Sequence, residues 1–272
     1  MNLECLSLER ERVFSWFETL IVKCITELEG KPLKNGKLDY YKQEFFKQYC
    51  THFISIRTLA TGLKLIYRGR DSEITALPSV SVLIRASLEN YSMFYYIYRD
   101  SNGSPDTYFR FWSWFREGLM HRQRLNLMGH VEKLKDEKQE ADRILDELRE
   151  YPSYRSFTPK QSQKYVKDGT WCFSSKRDLL EKAGFSAALA SNCYSFFSSY
   201  THPSSTGHLQ TSQAGFEASS ILMDGMLKPL FICSGLYLHS YSLLFQEISG
   251  RMNERDKDLV GSWCELGRKL MQ

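Results

Sequence analysis

Four signatures that would announce a reaction are missing from this chain of 272 residues. It has no G-x-x-x-x-G-K-[ST], no G-x-G-x-x-G, no H-E-x-x-H and no G-x-S-x-G. These absences weaken nucleotide hydrolysis, dinucleotide binding, zinc proteolysis and esterase chemistry. The seven cysteines are odd in number and widely spaced, with no C-x-x-C, which argues against a disulfide framework or a zinc ribbon. Proline is scarce, at seven, and no segment alternates apolar and polar residues with period two over a convincing length. No internal repeat or low-complexity tract occurs. Glu4, Glu9, Arg10, Glu11 and Arg12 crowd the start, so no signal peptide is expected. The uncharged, apolar run Pro229 to Gln246 carries His239 and several serines; it reads as a buried helix, marginal for a bilayer span. A reducing cytoplasm and no membrane are the expectations.

Aromatic residues are abundant, at 14%, and predict an aromatic core. Net charge is +4, a mild basicity that suits an anionic partner without demanding one. Apolar periodicity of 3.6 residues predicts an all-α protein: a single domain, 1–272, of about eight helices. Helices are expected over 5–29 and from Asp39 to Arg68, then over the segment Pro78 to Arg99. That third stretch is apolar nearly all round and reads as the buried central helix. The next helix starts at Ser104 as cap with Pro105 behind it, passes through an aromatic block and ends near Met128. Residues 131–150 alternate in charge over a thin apolar stripe, as in a solvated helix or an antiparallel arm. Residues 151–175 read as the only long irregular region. Helices then follow over about 176–184, 187–200 and 214–249, the last with a kink at Pro229, and after Gly250.

Four constellations are candidates for chemistry. Arg85 and Glu89 lie four residues apart, on one face of the central helix. They are either an ion pair that cross-links helices or an electropositive acid/base element in a cleft. The loop Tyr200 to His208 offers His202, His208, hydroxyls and Gly207. It suits a phosphate, or it is a tight loop in which His202 bonds a carboxylate such as Glu89. Arg116 and His121 form an R-x4-H string, which resembles the ribonuclease motif of HEPN-domain toxins, in which arginine holds the scissile phosphate and histidine moves a proton. Residues five apart lie about 140° round a helix, and the alternative is a solvated basic face. Residues 151–177 interleave Arg155, Lys160, Lys164 and Lys167 with Tyr151, Tyr154, Phe157, Tyr165 and Trp171. That mixture is a recipe for single-stranded nucleic acid, unless the aromatics pack on the core.

Three segments in order, L-I-R-A-S-L-E-N-Y, W-C-F-S-S-K-R-D-L-L-E-K-A-G-F and Y-S-F-F-S-S-Y-T-H-P-S-S, resemble a bacterial all-helical family of unknown function, distantly HEPN-like. The resemblance covers roughly residues 40–245. It carries over Arg85, Glu89, Trp171, Tyr194 and His202, and implies toxin or phage-defence settings. The resulting expectation is a metal-independent ribonuclease or RNA-binding effector. Arg85, Glu89 and His202 are its catalytic candidates, with Tyr194, Tyr200, His208 and Trp171 as substrate contacts and Arg116 and His121 as a secondary pair. No metal or cofactor is expected. The partners expected are RNA or another anion, a protein docked on 131–150, and a second copy of the chain. The alternative is a non-catalytic helical interaction module with a structural Arg–Glu–His cluster.

Overall fold

The computed structural model describes residues 3–31, 33, 35–67, 70–74, 76–125, 131–201 and 216–270. The protein is helical, with twelve helices among the described residues rather than about eight. The chain divides into two compact units, residues 1–95 with 176–272, and residues 96–175.

The first unit holds α1 (Leu3–Leu28), α2 (Lys37–Ala60), most of α3 (Leu77–Tyr98), α8 (Lys176–Lys182), α9 (Ala187–Thr201), α10 (Phe216–Leu244), α11 (Gln246–Ser249) and α12 (Glu254–Lys269). The second helix is shorter than its periodicity predicts. It stops at Ala60, Gly62 takes a left-handed φ of 87°, and a hairpin follows. Strand β1 (Leu63–Tyr67) pairs antiparallel with β2 (Arg70–Ile74), with Tyr67 opposite Arg70 and Leu63 opposite Ile74. The run L-K-L-I-Y supports either period over so short a length. Gly62, which adopts left-handed φ without steric cost, breaks the helix.

The most enclosed element is α10, not α3. From Met226 to Tyr241 nearly every residue of α10 is buried, and the helix continues through Pro229. Its segment Ser219–Leu244 is long and apolar enough to cross a membrane, and 67% of its most apolar window is buried inside the protein. Two aromatic clusters surround it. Phe14 and Phe17 meet Phe231, with Phe53 against both of them, and Phe46, Tyr91 and Phe94 meet Tyr237. Three buried tyrosines keep their hydroxyls satisfied: Tyr49 pairs with Ser234 at 2.6 Å, Tyr91 donates to the Ala183 carbonyl at 2.9 Å, and Tyr237 donates to Asn90 at 3.2 Å. Buried polar groups without such partners cost of order 1–3 kcal/mol each. Close approach of α10 to α12 depends on two glycines. A Cβ at Gly235 would sit 2.5 Å from the Trp263 Cβ, and one at Gly267 2.6 Å from Ile232 Cγ2.

The second unit contains α4 (Ser104–Arg124), α5 (Val131–Leu148), α6 (Pro152–Arg155) and α7 (Pro159–Asp168). The capping position of α4 is Gly103, at φ 95°, so Ser104 is already the first helical residue. Helices α4 and α5 form an antiparallel hairpin. Arg122 meets Glu137, Gln123 meets the Leu134 carbonyl, Arg116 meets the Ala141 carbonyl, and Tyr108 meets Glu147, so the partners run in opposite directions along the chain. The thin stripe Ala141, Ile144, Leu145 and Leu148 is what α5 buries.

Residues 151–175 are not one irregular loop. Helix α7 begins with a full capping box, in which Thr158 accepts from the Gln161 amide and the Gln161 side chain accepts from the Thr158 amide. Pro159 occupies the first turn, where its missing N–H costs nothing. Read without that box, the prolines look like breaks. Tyr165 is fully buried; its ring stacks on Phe109 and meets Tyr154 edge-on and Phe157 at a tilt. They build the interior of the second unit.

Candidate functional site

The arrangement around Arg85 starts from the pattern of α3. Val80, Ile84, Leu88, Tyr91 and Phe94 turn inward, while Ser79 and Val82 are exposed. Arg85 and Glu89 extend that outer stripe, so the pair does not lie in the interior as an all-round apolar helix suggests. Their side chains are 20% and 33% exposed. Arg85 Nε donates to Glu89 Oε1 at 3.0 Å. The guanidinium carbon lies 5.1 Å from the centre of the Tyr194 ring, a cation–π contact supplied by α9. Lys176, first residue of α8, places Nζ 3.6 Å from Glu89 Oε2.

Three helices thus bring two cations, one carboxylate and one aromatic ring together. Sequence reading anticipated Arg85, Glu89 and Tyr194, but not Lys176, which lies in the quoted segment from Trp171 to Phe185 without being singled out there. One atom stands out: Arg85 Nη1 is buried and has no hydrogen-bond partner. A buried guanidinium N–H is rarely left unpaired, because the lost hydration has to be replaced. Glu89 bridges the two cations, and the local balance of the three charges is +1. The cluster can hold an anion at Arg85 and Lys176, and its carboxylate can accept a proton.

The other predicted residues fall elsewhere. His202 and His208 lie outside the described residues. Tyr200 is buried on α9 with its ring against Phe196, and burial raises its pKa. Trp171 belongs to the second unit; it is 4% exposed and donates its indole N–H to Glu117 Oε2 at 2.9 Å. That bond gives Glu117 a structural use.

Arg116 and His121 are not brought together. Arg116 is 3% exposed, whereas His121 is exposed. The Arg116 guanidinium donates to the carbonyls of Ala141, Tyr165 and Val166 at 3.2, 2.8 and 3.2 Å. Its carbon also sits 5.3 Å from the Tyr165 ring centre. Tyr165 and Val166 are in the last turn of α7, so this cation closes a helix C-terminus, where carbonyls lack amide partners. Desolvation lowers the Arg116 pKa from its ordinary value. Neither a scissile-phosphate clamp nor a solvated face describes it.

Residues 131–150 spend much of their charge internally. Glu137 pairs with Arg122, Glu140 and Glu147 pair with Arg143, and Glu147 also accepts from Tyr108. Among the described residues no group of three or more His, Cys, Asp or Glu side chains is placed to hold a metal ion. No family model, curated protein or solved structure matches the chain.

Proposed function

We propose that this protein is a helical RNA-binding effector whose phosphate contact is Arg85, supported by Lys176 and Tyr194. The observation that carries the reading is the buried Arg85 Nη1 without a partner. A phosphodiester oxygen is the acceptor such a group lacks, and a guanidinium binds phosphate through a planar fork. Tyr194 holds the guanidinium plane from one side, and Lys176 adds a second cation.

The cleavage form of the proposal assigns proton transfer to Glu89 and His202. Glu89 takes the proton of a ribose 2′-hydroxyl, and that oxygen attacks phosphorus. The 5′ oxygen leaves with a proton from His202, giving a 2′,3′-cyclic phosphate and a 5′-hydroxyl. Histidine is suited to the second transfer because it exchanges protons near neutral pH.

The test is a filter-binding titration of total RNA over a salt series, with cleavage followed by gel with and without EDTA. Loss of a charge-assisted bond of about 1.5–3 kcal/mol predicts about a tenfold to hundredfold loss of affinity for Arg85→Ala. The slope of affinity against salt should also become shallower. Glu89→Ala and His202→Ala should abolish cleavage while leaving binding measurable. Unchanged RNA affinity in Arg85→Ala removes the proposal. Binding without cleavage by the wild type leaves a binding protein. Neither binding nor cleavage favours the helical interaction module.

A further inference from the structure

The second unit contains a cleft of about 490 Å³ that the Arg85 cluster does not use. Its walls mix aromatic rings with polar and charged residues. Trp171 and Phe157 are largely or partly covered, whereas Phe173 is 37% exposed and meets Phe157 edge-on at 5.3 Å between ring centres. The volume falls in the range of small-ligand sites, and the lining is more polar than the mostly apolar walls usual for them.

The polar groups at this cleft limit what can enter. Arg110 is at its edge, but its guanidinium is committed. Nη1 donates to the Tyr96 carbonyl at 2.6 Å and to Asp100 at 3.1 Å, Nη2 pairs with Asp106 at 2.8 Å, and the Tyr96 ring covers its face at 4.1 Å. With Asp100 and Asp106 against one arginine, the local charge is −1, so a phosphate is unwelcome. Acceptors are in better supply. Asp106 Oδ2 takes the Asn102 amide at 3.1 Å as well as Arg110, but Oδ1 takes only a long bond of 3.4 Å from Ser153. An ionised carboxylate oxygen accepts two hydrogen bonds, so Oδ1 has capacity left. Asn102 and Ser174 also line the cleft.

We infer that this cleft binds a planar, amino-substituted heteroaromatic ring, of the kind carried by adenosine, cytidine and guanosine, stacked on Phe173 and donating its amino group to Asp106. A flat ring has the shape for a gap between aromatic side chains, and base–aromatic stacking is favourable for every base. The exocyclic amino group separates these rings from uracil, which has a carbonyl oxygen in its place and only the N3–H left to donate to the carboxylate. A ring needs no cation, in keeping with the committed Arg110. The inference does not depend on the phosphate reading of Arg85.

The test is isothermal titration calorimetry of the intact protein with adenosine, cytidine, guanosine and uridine, and with adenosine 5′-monophosphate and a short oligoadenylate. At least one amino-bearing nucleoside should bind, and uridine should bind roughly tenfold more weakly or not at all. Affinity should change little with salt, unlike a phosphate contact. Phe173→Ala, a change at an exposed ring, should weaken binding roughly tenfold with an unchanged melting curve. Asp106→Asn, which adds a donor, should narrow the gap to uridine. Arg85→Ala should leave nucleoside binding as it is, so loss of one site is told apart from loss of the other. Nucleoside binding without oligoadenylate binding identifies a free ligand, and binding of both identifies a base within a strand. The inference is overturned if no nucleoside binds at millimolar concentration, if uridine binds as well as the others, or if Phe173→Ala has no effect.

Discussion

Replacing Arg116 by alanine tests whether a buried, carboxylate-free arginine is a structural brace. Its three acceptors do not suffer equally. Tyr165 O also receives the Gly169 amide at 3.2 Å, and Ala141 O lies inside α5, where the residue four ahead supplies an amide. Val166 O, in the last turn of α7, is the carbonyl that depends on the guanidinium. Leaving it unpaired costs about 1–3 kcal/mol. Removal of the packed stem adds about 1–2 kcal/mol for lost contacts and a cavity. Arg116→Ala is therefore expected to destabilise by about 3 kcal/mol. Arg116→Met keeps the stem and should cost less, mostly the unpaired carbonyl. The assay is urea unfolding followed by circular dichroism, with native-state hydrogen exchange at the Gly169 amide as a local reporter. If the second unit melts as its own transition, a loss of about 3 kcal/mol lowers its midpoint by about 10–20 °C. A cost within about 0.5 kcal/mol, as for an ordinary surface change, would refute the brace. So would an Arg116→Met variant less stable than Arg116→Ala.

Two further predictions concern the first unit. Gly235→Ala should destabilise by about 1–3 kcal/mol, because its Cβ would meet the Trp263 Cβ at 2.5 Å, an atom tied to the α12 backbone; Gly225→Ala, which meets nothing within 4 Å, is the control, both read by urea midpoint. His52 is half-buried with Nδ1 unpaired, and burial holds its pKa below the ordinary 6.5. The unfolded chain therefore takes up the proton first, and stability contributed by neutral His52 falls as pH drops below about 6.5. Unfolding midpoints at about pH 7.5 and about pH 5.5 should differ less in His52→Gln than in the wild type, and an equal difference would exclude His52 as the source.

The helical character and most helix limits were legible because apolar spacing and terminal glycines act locally. Gly30 and Gly184, for instance, stand where α1 and α8 have ended. The misreadings share a cause. The hairpin after Gly62 was hidden in a run too short to distinguish two periods. Helix α7 was hidden by the proline that starts it. On α3, the relation of Arg85 to Glu89 followed from spacing, but the burial of one guanidinium nitrogen is set by α9, distant in sequence. The difference between Arg116 and Arg85 was not readable at all. Both are arginines on aromatic-rich helices, and only tertiary structure decides that one meets three carbonyls and the other keeps an open donor. Lys176 and Phe173 lie in a segment that the sequence does bring forward, but only tertiary structure sets one beside Glu89 and the other at a cleft.

The division of the chain also bears on its synthesis. The second unit, 96–175, is continuous, and the first is assembled from both ends of the chain. As the chain emerges from the N-terminus, 96–175 has all its partners before α10 exists. Helices α1 to α3 do not: Phe14, Phe17, Phe46 and Tyr91 wait for Phe231, Tyr237 and Tyr241 to be made. At about 5–20 residues per second, α10 arrives several seconds after α3. During that interval these aromatic side chains lack the partners they have in the folded protein, while every residue of the inserted unit has already been made.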